Sequence, residues 1–192
     1  MSLAVLGGCF DPPHVGHLWV VKQVLEFCPD IDRLLLMPAA KHQWKPIIAS
    51  VTDRMQMLQA FTTEKKVIIS DLELKRGGVS YSVETIKELK HETKDNIYWI
   101  VGSDILSEFS RWEKTETLTE LATFLVFPRD PFSLPAKLPS GFEAIRDKEL
   151  ITTNLSSTLI RQRIKQGKSI SGFVPEKVEE YIKGKGLYRQ MT

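Results

Sequence analysis

The chain has 192 residues, 42% of them hydrophobic and 26% charged, which suits one globular domain with a substantial core and is short for two. A formal net charge of +2 is too small for a general nucleic-acid surface, and no basic arm, RNP-like motif or zinc-finger spacing is present. Met1–Leu6 runs at once into Gly7-Gly8, too soon for a signal h-region, and no run of 18 apolar residues exists, so a cytoplasmic protein without a membrane partner is expected.

Leu3–Leu6 is a short apolar run ended by two glycines, the pattern of a buried strand. From His17 to Cys28 the apolar residues Leu18, Val21, Val24, Leu25 and Cys28 recur at helical spacing, and Pro29-Asp30 breaks that helix. Cys9 and Cys28 lie outside any CxxC pattern and are expected as free thiols. Arg33–Met37 reads as a second buried strand, stopped at Pro38. Thr52–Phe61 reads as a helix with Thr52 or Asp53 as its cap.

Val67–Ser70 is a third strand, and Ser82 is placed to cap a helix carrying Val83, Ile86 and Leu89 on one side. Ile97–Val101 is a fourth strand, running into Gly102-Ser103-Asp104, and Phe124–Phe127 a fifth, ending at Pro128. Arg129–Gly141, with Pro131, Pro135 and Pro139, reads as a loop. Ser156 caps a helix that ends at Gly167, and Pro175 opens a last helix with Val178, Tyr181 and Ile182. Apolar strands alternating with helices predict an α/β fold in one domain over residues 1–192. Its expected form is a Rossmann-like, doubly wound parallel sheet with helices on both faces, plus C-terminal helices.

The segment Gly7-Gly-Cys-Phe-Asp-Pro-Pro-His-Val-Gly-His17 joins the first strand to the first helix. Glycines there let the backbone approach a ligand, and a helix N-terminus offers free N–H groups to an anion. Neither GxGxxG nor a Walker A lysine is present. His14 and His17 instead share one face and can donate hydrogen bonds to a phosphate whose charge grows in a transition state. Taken alone they could also be local caps, or part of a metal site with no convincing third ligand nearby.

Ser156-Ser-Thr-Leu-Ile-Arg161 forms a second capped helix start with an arginine one turn on, able to grip phosphate oxygens bidentately. Alone it also fits a capped amphipathic helix with a surface arginine. GGCFDPPHVGH resembles the GGTFDPxHxGH signature of bacterial nicotinate-nucleotide adenylyltransferases, within the HxGH nucleotidyltransferase superfamily. Leu155–Arg161 resembles that superfamily's ISSTxIR motif, and Val174–Tyr188 its C-terminal helix, so the resemblance spans nearly the whole chain.

The resemblance implies a nucleotidyltransferase-type fold and an enzyme that transfers the adenylyl group of ATP to nicotinate mononucleotide in NAD biosynthesis. His14, His17 and Arg161 become the implied catalytic residues. Implied at ATP are also Gly8, Cys9, Phe10, Lys45, Gly102, Asp104, Arg129, Ser157 and Thr158. At the mononucleotide it implies Gly8, Lys45, Tyr81, Ser82, Asp104 and Trp112, the last stacking on the pyridine ring. Tyr81 could also be a half-buried helix-start residue, Asp104 a cap, and Trp112 core. Mg²⁺ is the implied cofactor, held mainly by substrate phosphates and not by a protein metal site.

Departures from the family pattern lie at His42-Gln-Trp-Lys45, at Glu113 and at Asp130, with Cys9 replacing threonine. The first two bear on whether the acid or amide form of the mononucleotide is preferred. Nicotinamide mononucleotide or phosphopantetheine as acceptor, a non-catalytic nucleotide-sensing module, and a metal-dependent hydrolase built on His14 and His17 are the alternatives. A homo-oligomer is left open by the sequence, as are the adenine contacts and the roles of His42 and Trp44.

Overall fold

The computed structural model describes residues 1–189. Six strands, β1 (Ser2–Gly8), β2 (Arg33–Pro38), β3 (Val67–Ile69), β4 (Asn96–Gly102), β5 (Thr123–Phe127) and β6 (Phe142–Ala144), form one sheet. All pairings are parallel, and the spatial order is β3-β2-β1-β4-β5-β6. That order reverses direction between β1 and β4, the switch point at which doubly wound sheets bind ligands.

The helices are α1 (Val15–Phe27), α2 (Val51–Gln59), α3 (Leu72–Arg76), α4 (Ser82–Glu92), α5 (Thr115–Leu121), α6 (Ser157–Lys165) and α7 (Glu176–Lys185). Strand residues alternate between two cores. Ala4, Leu6, Leu34 and Leu36 pack with Val21 and Val24 of α1, Met57 and Leu58 of α2, Ile160 of α6 and Val178 and Ile182 of α7. Leu3, Val5, Leu35 and Met37 face the other way, against Val83, Ile86 and Leu89 of α4 and Leu118 of α5. Burial on both faces explains why the strands read as unbroken apolar runs.

The structure differs from the sequence reading at several boundaries. β1 extends through Gly7 and Gly8, so the glycines end the strand rather than follow it. α1 starts at Val15 with His14 in the cap position, two residues earlier than expected. α2 is capped by Ser50, whose hydroxyl accepts from the Asp53 N–H, and not by Thr52 or Asp53. Ser82 is the first residue of α4; Tyr81 occupies the cap position, with no side-chain cap bond.

A sixth strand and helices α3 and α5 were not expected, nor were the short 3-10 helices Ser103–Ser107 and Phe109–Arg111. Elements of three to seven residues carry too few periodic positions to stand out in a sequence. Ser156 does cap α6, its hydroxyl accepting from the Leu159 N–H at 3.2 Å. Cys9 and Cys28 are free thiols. No helix among the described residues is long and apolar enough to cross a membrane.

Candidate active site

A cavity of about 420 Å³ opens beside the carboxyl ends of β1 and β4, a volume in the range of small-ligand sites. Every site residue named from the sequence lines it. Gly8, Cys9, Phe10, His14 and His17 come from the β1–α1 connection, and Lys45 from the loop after β2. Tyr81 and Ser82 come from the start of α4, and Gly102, Asp104, Trp112 and Arg129 from the segments after β4 and β5. Ser157, Thr158 and Arg161 come from α6.

At the β1–α1 end the imidazoles of His14 and His17 stack, ring centres 3.7 Å apart, and Phe10 leans on His17 at 5.0 Å. The backbone N–H of His14 donates to Nδ1 of His17 at 3.2 Å. That bond makes Nδ1 an acceptor, so the ring's proton sits on Nε2, which is left able to donate. Burial, reinforced by Arg129, pushes the His17 pKa down to about 3, and burial, His17 and Arg129 together hold His14 well below its ordinary value. Both rings are therefore neutral donors or acceptors at pH 7, not cations. A Cβ on Gly16 would press on the His14 ring at 3.0 Å and on the Thr153 methyl at 3.1 Å, so a side chain here would displace the ring by a few tenths of an ångström.

The two helix starts are tied directly together. Arg161 Nη1 donates to the Asp11 carbonyl at 2.7 Å, and Ser157 Oγ donates to the Pro12 carbonyl at 2.8 Å. The Ser157 hydroxyl hydrogen is thereby committed to the fold, which leaves its oxygen lone pairs and the helix N–H groups for a ligand. Arg161 also reaches Thr158 Oγ1 at 3.4 Å.

Behind this junction Asp11, 1% exposed, accepts from the N–H groups of Ile48 and Ala49 at 2.7 and 3.0 Å and from the Tyr188 hydroxyl at 2.8 Å. Arg54 donates to the Cys9 carbonyl at 2.9 Å. Burial raises the Cys9 thiol pKa, against Arg54, so this cysteine stays protonated and unreactive.

Across the cavity Asp104 Oδ2 takes Arg129 Nη1 at 2.9 Å. Ser103 pins the turn behind it, accepting from the Arg129 N–H at 2.9 Å and donating to the Phe132 carbonyl at 2.6 Å. Gly102 has a negative φ of −75°, so its bareness serves space rather than conformation. A Cβ there would run into Asp104 Oδ1. Gly102→Ala is expected to keep the fold but turn the carboxylate aside, lowering kcat/KM about tenfold, or 1.4 kcal/mol. Steady-state kinetics beside a melting curve check this.

Four side chains lining the cavity carry a buried polar atom without a hydrogen-bond partner: His14 Nδ1, Asp104 Oδ1, Trp112 Nε1 and Arg161 Nε. Each such atom costs about 1–3 kcal/mol when left unsatisfied. All four belong to side chains that line this one cavity. No group of three or more His, Cys, Asp or Glu stands together to hold a metal among the described residues. The Asp11 carboxylate is already filled by three donors. The cavity is thus lined both by cationic and neutral donors and by the aromatic rings of Tyr81, Trp112 and Trp44.

Sequence reasoning missed the brace made by Asp11, Arg54 and Tyr188. It also missed Glu73, Trp19 and Ile151, which line the cavity. Arg54 did carry a signal. It lies three and four residues before Met57 and Leu58, a cation at a core-facing phase of α2, and it is 1% exposed.

Residues 5–163 match a family model described as cytidylyltransferase-like. The chain is 36% identical to a probable nicotinate-nucleotide adenylyltransferase of Gemmatimonas aurantiaca, with 99% of this chain and 93% of that protein covered. It is 39% identical to one from Synechococcus sp. (strain JA-3-3Ab), covering 97% and 94%. A putative nicotinate-nucleotide adenylyltransferase of Vibrio parahaemolyticus has a similar structure, with a TM-score of 0.69, 26% identity and coverage of 100% and 98%. Nicotinic acid mononucleotide adenylyltransferase of Plasmodium falciparum complexed with NaAD shares the fold at a TM-score of 0.82, with 18% identity and 97% of each chain covered.

Proposed function

The chain belongs to the nicotinate-nucleotide adenylyltransferase family, within the cytidylyltransferase-like group, and from that premise we infer that it joins nicotinate mononucleotide to the AMP part of ATP. The products are nicotinate adenine dinucleotide and pyrophosphate, a step of NAD biosynthesis that we place in the cytoplasm. The observation carrying this reading is the junction of the two helix starts. Arg161 and Ser157 of α6 bond the Asp11 and Pro12 carbonyls just ahead of α1, setting two anion-binding ends side by side within one cavity.

In the reaction an oxygen of the mononucleotide 5′-phosphate attacks the α-phosphorus of ATP, and the bond to the β-phosphate oxygen breaks as pyrophosphate leaves. That nucleophile is already ionised at neutral pH, so no general base is needed, and no residue becomes covalently modified. The protein's share is positioning and charge stabilisation. His17 donates Nε2–H, with His14 beside it, to oxygens of the α-phosphate as their charge grows. Lys45, Thr158 and Arg161 hold the departing pyrophosphate. Arg129 steadies Asp104, whose carboxylate accepts from a nucleotide hydroxyl, and the Trp112 ring stacks on the pyridine.

A divalent metal, which we assign as Mg²⁺, fits this donor set as a passenger on the substrate phosphates. The cavity's cationic side suits phosphate oxygens, and the Asp11 carboxylate is taken by N–H and O–H donors. When bound, the metal would neutralise triphosphate charge.

The experiment is pyrophosphate release from ATP with each of three acceptors: nicotinate mononucleotide, nicotinamide mononucleotide and phosphopantetheine. The acid form is expected to give the highest kcat/KM. Faster turnover of either other acceptor would replace nicotinate in this reading, and no release with any would leave a nucleotide-sensing module.

A further inference from the structure

Glu73, on α3, is a carboxylate 4% exposed in the wall of the cavity, and the adenylyl transfer just described gives it no task. Thr85 Oγ1 donates to its Oε1 at 2.6 Å, and the Ser80 hydroxyl hydrogen-bonds the same carboxyl group. Each hydroxyl accepts a bond in turn. Ser80 Oγ takes the Ala40 N–H at 2.9 Å, and Thr85 Oγ1 takes Arg76 Nη2 at 2.8 Å. The Ser80 N–H donates to the Lys41 carbonyl at 2.9 Å, and Lys41 bridges to Val79.

A carboxylate only accepts, so both hydroxyl hydrogens must point at it, which fixes the lone pairs that receive Ala40 and Arg76. Glu73 therefore sits where two segments meet, the chain after β2 and the start of α4. These same segments carry Lys45 and the pair Tyr81-Ser82 into the cavity. Burial raises the Glu73 pKa, while the hydroxyl bonds and then Arg76 oppose that rise.

We propose that Glu73 is a positioning residue for the mononucleotide, ordering Lys45, Tyr81 and Ser82 through its bonds to Ser80 and Thr85. This rests on the acceptor reading given above. Glutamine keeps one oxygen for Thr85 but turns an amide NH₂ toward the Ser80 hydroxyl, so Glu73→Gln breaks half of the junction at constant volume. Glu73→Ala breaks all of it.

The test measures KM and kcat for both substrates in each variant, together with backbone hydrogen exchange of residues 39–45, 79–83 and 156–161. Loss of bonds to a buried charge should raise KM for nicotinate mononucleotide about tenfold in Glu73→Ala, and by less in Glu73→Gln. KM for ATP and kcat should each change by less than about threefold, because Lys45 shares the grip on the pyrophosphate with Thr158 and Arg161, and the helix starts that carry those two are untouched. Exchange should quicken in 39–45 and 79–83 and not in 156–161.

Unchanged mononucleotide KM, equal rises in both KM values, or a fall in kcat at constant KM would each overturn the proposal, as would exchange that is unaltered or faster everywhere. Should Glu73→Ala fail to fold, Glu73→Gln decides alone. If the wild type does not adenylylate nicotinate mononucleotide, the acceptor reading fails. The exchange pattern then still decides whether Glu73 orders these segments.

Discussion

Replacing His17 with alanine is expected to lower kcat by about 10²–10³, the usual effect of removing one preorganised donor to a developing oxyanion. KM for ATP should change little, because the group acts on charge that appears in the transition state. On the structural side the bond from the His14 N–H to His17 Nδ1 is lost from the start of α1, together with the ring's contacts with His14 and Phe10. The bond contributes about 1 kcal/mol and the ring contacts about as much again, so the melting temperature should fall by several degrees while the far-ultraviolet spectrum is kept. Near-normal turnover would remove His17 from the mechanism.

The same ring sets an acid limit on stability. With a folded-state pKa of about 3 against an ordinary value of 6.5, His17 binds a proton more readily unfolded than folded. Between those values the unfolded chain carries the extra proton, so stability falls as pH is lowered through 6.5, by up to about 1.4 kcal/mol per pH unit from this group. His14, lowered in the same direction, adds to the slope. Denaturant unfolding from pH 7 to pH 4 should show the loss, and His17→Gln should reduce it. A slope unchanged by that substitution would show that the ring is not held neutral.

How much of this was legible beforehand depended on what each feature rests upon. The sheet was readable because β1, β2, β4 and β5 are buried on both faces and so appear as apolar runs. The site was readable because Gly8–His17 and Ser156–Arg161 are contiguous in sequence. Glu73 and Asp11 were not readable as hubs. Their partners lie 12 residues away at Thr85 and 177 away at Tyr188, and only the crossovers of the sheet bring them together. The Ser50 cap was missed because Thr52 and Asp53 are equally good cap types, and the choice is made by where the chain bends after Ala49.

The junction between the two helix starts gives the second large expectation. Arg161→Ala should lower kcat/KM for ATP by about 10²–10³, equivalent to two charge-assisted bonds at about 1.5–3 kcal/mol each, partly offset by water. It also removes the charge-assisted bond to the Asp11 carbonyl and the ion pair with the Asp11 carboxylate at 3.9 Å, so α6 loses one of its two side-chain ties to the β1–α1 connection, and a stability loss of about 1.5–3 kcal/mol should accompany it. Lysine separates the two effects. Its single ammonium can reach either the Asp11 carbonyl or a phosphate oxygen, but lacks the planar fork that serves both. Arg161→Lys should therefore recover much of the stability and little of the activity. Ligand-free melting curves and kcat/KM values for wild type, Arg161→Lys and Arg161→Ala distinguish the roles. If lysine restored activity along with stability, Arg161 would be only a brace between helices, and the grip on the leaving pyrophosphate would fall to Lys45 and the helix N–H groups.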